Sequence, residues 1–257
     1  ILGISGKTPF AYVGQRGLEL FEDHPWLEIR ALIADDPADV GKTLAEAVEG
    51  RWHLDTPVPE KWAGTRLVGI DKKALESQGV KLVLSALPAP VARELDPKLA
   101  ELGFAVISES IGLRQEPDIP LLVPDVNADH LQLIEAQRVA RGYDGFVAAT
   151  PLCTAVITAI AVKPIADAFG IRSSVYTTMQ ALSGAGPTGV PAMKVVDNVV
   201  PFIGNEEEKL SAELRKILGS YHDGQISPHQ APLAATCTRV PVRDGHTISI
   251  TLDCDRP

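Results

Sequence analysis

Cys153 lies in "GFVAATPLCTAVITAIAVKPI", where an apolar run ending at Thr150 meets Pro151 and Leu152 and gives way to alternating Ala, Ile and Val. A thiol at a strand-to-helix junction has two readings. A single cysteine is usually a small buried hydrophobe that only packs. At a helix N-terminus, however, the dipole and unpaired N–H groups lower its pKa and make it a nucleophile. Residues that would serve such a thiolate lie far along the chain. His246 titrates near neutrality and would act as acid and base. Arg239, seven residues before it, offers a planar fork for a carboxylate. Taken singly, each reads as a surface or capping residue. The run "NEEEK", residues 205–209, reads as a solvated helix start.

A second set of residues suits phosphate. In "GISGKTPFAYVGQR", Gly3, Gly6 and Gly14 would let a pyrophosphate approach backbone N–H groups at the start of a helix. The alternative is an ordinary tight turn, because "KTPFA" separates Gly6 from Tyr12 and the spacing is not the standard fingerprint. Asp35 and Asp36 close the next apolar segment. An acid there accepts hydrogen bonds from an adenosine ribose and repels a 2′-phosphate, which leans toward NAD. "DDPADVGK" also suits a helix N-cap.

The elements that must position these residues alternate through the first half. "ILGIS", "LEIRALIAD", "VKLVLSALP" and "FAVISES" read as strands. "YVGQRGLELFEDH", "PVARELDPKLAELG" and "HLQLIEAQRVARG" read as helices, the last capped by Gly142. This order predicts an α/β fold with a Rossmann-like, doubly wound parallel sheet over residues 1–149. From residue 150 the texture changes to an apolar helix, "TAVITAIAVKPIADAFG", and a strand "SSVYTTMQAL" entering "SGAGPTGVP". Two neighbouring strands follow, "LAATCTRVPV" and "HTISITLDC", joined by an "RDG" turn. Residues 150–257 are therefore expected to form a second, α+β domain. The strand-like start at Ile1 and the stop at Pro257 suggest further sequence on both sides.

Composition narrows the function. The net charge of −9 disfavours a nucleic-acid partner, and there is no local basic patch. Three widely spaced cysteines form neither a disulfide framework nor a metal site, so a reducing, cytoplasmic setting is expected and no metal. No apolar run has the length of a membrane span, so no membrane partner is expected.

The order "ATPLCTA", "TTMQALSGAG", "GVPAMKVVDNVVPFIGNEEEK", "ATCTRVPVRDGHT" resembles the aspartate-semialdehyde dehydrogenase family in its archaeal and fungal branch. "VGQR", "HPW", "GKTLAEAV", "SALP" and "DIPLLVPDVNADHLQLI" extend the resemblance over essentially the whole chain. It implies reductive dephosphorylation of aspartyl-4-phosphate to aspartate-4-semialdehyde, with NADP or NAD as cofactor. Cys153 matches the nucleophile that forms a thioester, Gln180 the glutamine that orients the acyl group, and His246 the acid–base histidine. Arg239 matches the holder of the substrate carboxylate. Glu206 and Lys209 match the pair that contacts the amine and the phosphate, and Arg114 a phosphate-binding arginine. Ser183, Gly184 and Gly186 match the loop beside the nicotinamide. Gly3, Gly6, Val13 and Gly14, with Asp35 and with Ser85 of "SALP", fall in the cofactor segments. The implied partners are a small-molecule substrate and phosphate, and the implied assembly is a homodimer or homotetramer.

The sequence departs from the family's pattern at several points. Leu152 replaces an Asn before the nucleophile, as in malonyl-CoA reductases, relatives that run the same thioester chemistry on a CoA substrate. Residues 7–11 are an insertion in the cofactor loop. "ADDPADVGK" replaces the segment that receives a 2′-phosphate, Glu109 replaces an Asn, and "SGAGPTG" replaces "SGAGYPG". These changes leave two alternatives: a CoA-thioester reductase, or a non-catalytic binding or regulatory relative.

Overall fold

A computed structural model describes residues 1–6, 11–186 and 189–256. The chain divides into two compact units, Ile1–Leu113 with Gln137–Ala149, and Arg114–Ala136 with Thr150–Pro257. Residues 114–136, counted with the first half on sequence texture, thus group with the second unit.

In the first unit, strands β1 (Leu82–Ser85), β2 (Ala105–Ser108) and β3 (Phe146–Ala149) form a parallel sheet in the order β1-β2-β3. Their sequences, LVLS, AVIS and FVAA, are nearly continuous apolar runs, as strands covered on both faces require. Helix α1 (Ala11–Leu20) is followed by the short α2 (Leu44–Ala47) and α3 (Glu60–Ala63), then α4 (Lys72–Ser77). Helix α5 (Ala89–Glu101) makes the crossover from β1 to β2, and Asp96 on it accepts hydrogen bonds from Ser85 and Ser108 at 2.6 and 2.5 Å. The predicted strands in "ILGIS" and "LEIRALIAD" are instead single parallel bridges: Leu2 joins Ser85 and Ile33, and Ile33 joins Val68. Gly3 ends the first at φ +86, and a Cβ there would collide with the Ala86 carbonyl. Ile4, Leu18, Leu32, Leu44 and Leu67 form the core beneath this end of the sheet.

The second unit carries α6 (Pro124–Asn127), and α7 (Leu133–Arg141) begins within it. His130, read from sequence as part of that helix, sits in a preceding 3-10 segment. Helix α8 (Cys153–Phe169) stops at Gly170, φ +71. Strand β4 (Ser173–Gln180), the short α9 (Ala192–Val195) and α10 (Glu206–Ile217) follow, then the hairpin β5 (Ser220–His222) and β6 (Gln225–Ser227). Strands β7 (Leu233–Arg239) and β8 (Thr247–Asp253) complete the unit. They are not neighbours, contrary to the hairpin expected around "RDG". The order is β7-β4-β8, with β4 parallel to β7 and antiparallel to β8. Along β4, Ser174, Tyr176, Thr178 and Gln180 alternate as the buried positions of this central strand.

Candidate active site

Register brings the site together. The parallel pairing of β4 with β7 sets Gln180 opposite Arg239, the last residue of each strand, and both are buried. The chain leaving β7 returns through the "RDG" turn to His246, immediately before β8. His246 Nε2 lies 3.1 Å from Cys153 Sγ at the first residue of α8. Four residues spread over 94 positions of sequence thus share one end of the central strand.

His246 is held from behind. The Ala181 backbone N–H donates to Nδ1 at 2.9 Å, so that nitrogen carries a lone pair and the ring proton sits on Nε2, facing sulfur. In this arrangement the neutral ring donates to a thiolate. Taking up a second proton would set Nδ1–H against the Ala181 N–H. Burial, and next the charge of Arg239, lower the His246 pKa and favour the neutral ring.

The Cys153 thiol does not behave as its helix N-terminus alone predicts. Residue 153 is exposed, yet burial of the thiol pushes its pKa up, and the Glu206 carboxylate pushes the same way. The Thr154 backbone N–H and, more weakly, Arg114 oppose the rise. The helix N–H effect expected from sequence is present, but desolvation outweighs it.

Helix α10 supplies the charges. Its first residue, Glu206, is mostly buried and pairs with Lys209 at 3.3 Å, so "NEEEK" is not simply a solvated helix start. Two turns further on the same face stand Glu213 and Lys216, neither of which the sequence reading singled out. Glu213 accepts from Arg114 Nη1 at 3.1 Å and from the Leu152 backbone N–H at 2.6 Å. It therefore ties the arginine to the residue before Cys153. Lys216 Nζ donates to the carbonyls of Arg114, Glu116 and Ile119 at 2.7, 2.7 and 2.8 Å. A signal was present in the sequence: Glu-x-x-Lys occurs at 206–209 and again at 213–216, a seven-residue repeat on one helix face.

Ser183, Gly184 and Gly186 form a 3-10 turn after β4, with Gly186 at φ +79. A Cβ at Gly184 would lie 2.9 Å from Arg239 Nη1 and 3.0 Å from His246 Cε1. Arg239 is fixed there by donating to the Ala181 carbonyl at 2.7 Å. Glycine at 184 is what lets the turn sit against both side chains.

The expected cofactor residues Gly3, Gly6, Val13, Gly14, Asp35 and Ser85 all lie in the first unit. A Cβ on Gly14 would come within 2.9 Å of the Gly3 carbonyl oxygen, so this glycine lets α1 pack on the first extended segment. Asp36, not Asp35, provides the N-cap: its carboxylate accepts from the Ala38 N–H at 2.9 Å. The Ser85 hydroxyl is committed to Asp96. Insertion residues 7–10 lie outside the described residues, as do 187 and 188 of the altered "SGAGPTG". The glycine cradle, with Asp35 beside Gly6, fits a dinucleotide. Among the described residues no group of three or more His, Cys, Asp or Glu side chains would hold a metal, and no helix is long and apolar enough to cross a membrane.

A cysteine–histidine pair in one unit and a nucleotide-type parallel sheet in the other are the parts of an α/β oxidoreductase, and comparison with known proteins narrows the class. Residues 1–134 match the NAD-binding domain of semialdehyde dehydrogenase, and residues 162–257 match its dimerisation domain. The aspartate-semialdehyde dehydrogenase of Methanothermobacter thermautotrophicus is 41% identical over 254 residues, covering 99% of this chain and 71% of the relative. That of Schizosaccharomyces pombe is 36% identical over 256 residues, covering 98% and 70%. The crystal structure of the Candida albicans aspartate semialdehyde dehydrogenase with NADP superposes with a TM-score of 0.83 at 34% identity, covering 98% of this chain and 70% of that one. The chain belongs to the semialdehyde dehydrogenase family.

Proposed function

We propose that the chain catalyses NAD(P)-dependent reductive dephosphorylation of aspartyl-4-phosphate to aspartate-4-semialdehyde. The observation that carries this reading is the 3.1 Å approach of Cys153 Sγ to His246 Nε2, beside Arg239, Gln180 and the Glu206–Lys209 pair. Cys153 attacks the acyl carbon as the thiolate, phosphate departs, and a thioester forms on sulfur. His246 Nε2–H stabilises the sulfur anion before attack and again when sulfur is expelled. Arg239 binds the α-carboxylate, Glu206 the amine, and Lys209 with Arg114 the phosphate. Gln180 orients the acyl group. A bound nicotinamide supplies the hydride that reduces the thioester. Gly3, Gly6, Val13 and Gly14 form the pyrophosphate cradle, with Asp35 and Ser85 on the same unit. Ser183, Gly184 and Gly186 border the nicotinamide.

The first unit, Ile1–Leu113 with Gln137–Ala149, serves as the dinucleotide-binding domain and the second, Arg114–Ala136 with Thr150–Pro257, as the catalytic and dimerisation domain. The working form is a homodimer or a pair of dimers in the cytoplasm, a reading supported by the dimerisation-domain match. The test is the phosphorylating reverse reaction, followed at the reduced-nicotinamide band with aspartate semialdehyde and phosphate. Phosphate-dependent turnover that disappears in Cys153→Ala is the expected result. Turnover only with malonate semialdehyde and CoA would reassign the substrate, and none with either would overturn the reading.

A further inference from the structure

Helix α10 is tied to β7 by a side chain as well as by backbone. Among the described residues β7 is the outer strand of its sheet, so the peptide groups on its far side face no further strand. Val240 N–H points inward, to the Gln180 carbonyl at 3.0 Å, and the alternate residues Cys237 and Arg239 point outward. Arg239 is met there by Val200: each N–H donates to the other's carbonyl at 2.9 Å. Continuing that antiparallel pairing would set Phe202 against Cys237. The chain instead enters α10 through Asn205, whose φ of +60 is left-handed. The Cys237 N–H, on a fully buried residue, donates to Glu207 Oε1 at 3.0 Å. The carboxylate takes the place of the missing strand residue, where an unpaired buried N–H would be costly.

The start of α10 is therefore held at two points of one strand, with only residues 201–206 between them. Successive helix residues point about 100° apart, so Glu206 cannot share the direction of Glu207. Glu206 pairs with Lys209 at 3.3 Å, and Glu208 is exposed. The Glu206 charge reaches the site. It adds to the burial-driven rise in pKa at Cys153 and opposes the burial-driven falls at His246 and Arg239. The other charged or titratable groups acting on the thiol are His246, at 3.1 Å, and Arg114. Arg239 is the last residue of β7, just beyond Cys237. The strand that carries Arg239 thus also fixes how far Glu206 stands from it.

We propose that Glu207 is a positioning residue: by receiving the Cys237 N–H it fixes Glu206 relative to Arg239, and so lets the site select a substrate whose amine and carboxylate share one carbon. The selectivity rests on the reading of Glu206 and Arg239 as the contacts of those two groups. An amine and a carboxylate on one carbon need two opposite charges at a set spacing. Were α10 to drift from β7, Arg239 would still hold the carboxylate, but the amine would lose its partner. The advantage over a deaminated analogue would then disappear.

The test compares Glu207→Ala with Glu207→Gln in the full chain, with circular dichroism confirming the fold. Both remove the charge, but glutamine keeps the Oε1 acceptor, so the pair separates the hydrogen bond from electrostatics. The first measurement needs no substrate: alkylation of Cys153 by iodoacetamide is followed against pH. Glu207→Ala is expected to move the inflection to lower pH, because Glu206 is no longer held near the thiol, and Glu207→Gln to move it by less than half as much. The second measurement is the ratio of kcat/KM for aspartate semialdehyde to that for succinate semialdehyde, its deaminated counterpart, in the phosphate-dependent reaction. That ratio should fall about tenfold or more in Glu207→Ala, through a raised KM for aspartate semialdehyde, and be kept in Glu207→Gln. Glu207→Asp, with its carboxylate drawn back by one methylene, should show the same changes in smaller measure if the alanine variant does not fold. Equal behaviour of the alanine and glutamine variants, or an inflection and ratio unmoved in both the alanine and aspartate variants, would overturn the proposal. An unsubstituted chain that turns over neither semialdehyde would overturn the proposed reaction and the selectivity with it, while the alkylation inflections still decide whether Glu207 positions Glu206.

Discussion

Cys153 has to ionise in a setting that resists ionisation. Burial and the Glu206 carboxylate raise its pKa, while the Thr154 N–H and the His246 Nε2–H favour the thiolate. Alkylation of Cys153 by iodoacetamide is therefore expected to rise with pH toward an inflection above the ordinary thiol value of about 8.5. Glu206→Gln removes a negative charge from the thiolate's surroundings and should move that inflection to lower pH. An inflection below neutrality in the unsubstituted chain would contradict the burial argument. His246→Asn removes the Nε2–H donor and should lower kcat by roughly 10²–10⁴-fold. The same variant should move the alkylation inflection upward, a shift that loss of substrate binding would not cause.

At the scale of elements, α10 and the turn after β4 hold the site's shape. Glu213→Gln keeps the side chain's size but removes the charge that faces Arg114 and the Leu152 N–H. Its expected signature is a raised KM for phosphate in the reverse reaction, with a destabilisation of about 1–3 kcal/mol by denaturant titration. Lys216→Met would leave three carbonyls without their donor and should cost about 1–3 kcal/mol. The lysine also predicts a pH dependence. Burial lowers its pKa from 10.5 to about 8, so the folded state loses the proton before the unfolded state does. Its unfavourable contribution is present in full below about pH 8 and is relieved as pH rises toward 10.5. Stability should therefore gain up to ~1.4 kcal/mol per pH unit across that window, a component missing from Lys216→Met. Gly184→Ala tests the turn: a methyl against Arg239 and His246 should reduce kcat/KM by about 10²-fold with the fold intact by circular dichroism.

At the scale of the whole molecule, apolar side chains stay exposed on the second unit, among them Ile157, Ile160, Phe169, Val175 and Phe202. Exposed apolar side chains mark an interaction face where they form one contiguous patch. Light scattering across a dilution series is expected to give the mass of a dimer or tetramer, and Val175→Lys, on the exposed face of β4, should shift it toward the monomer. A monomer at every concentration would argue against the homo-oligomeric reading.

The sequence alone was enough to define the α/β class, the family, and the residue types that carry thiol chemistry, because hydrophobic periodicity and local motifs are properties of neighbouring residues. It identified β1, β2 and β3 as buried strands from their apolar runs, and α8 from its alternation of Ala, Ile and Val. It misread what depends on distant partners. "LEIRALIAD" has a strand's composition but pairs only through isolated bridges at Ile33, to Leu2 and to Val68, and β7 and β8 look like a hairpin but flank β4. Only the tertiary structure decided that Gln180 faces Arg239, that Ala181 fixes the His246 tautomer, and that burial outweighs the helix N-terminus at Cys153. The reason is physical: register and desolvation are set by groups scores of residues away, and no window of sequence contains them.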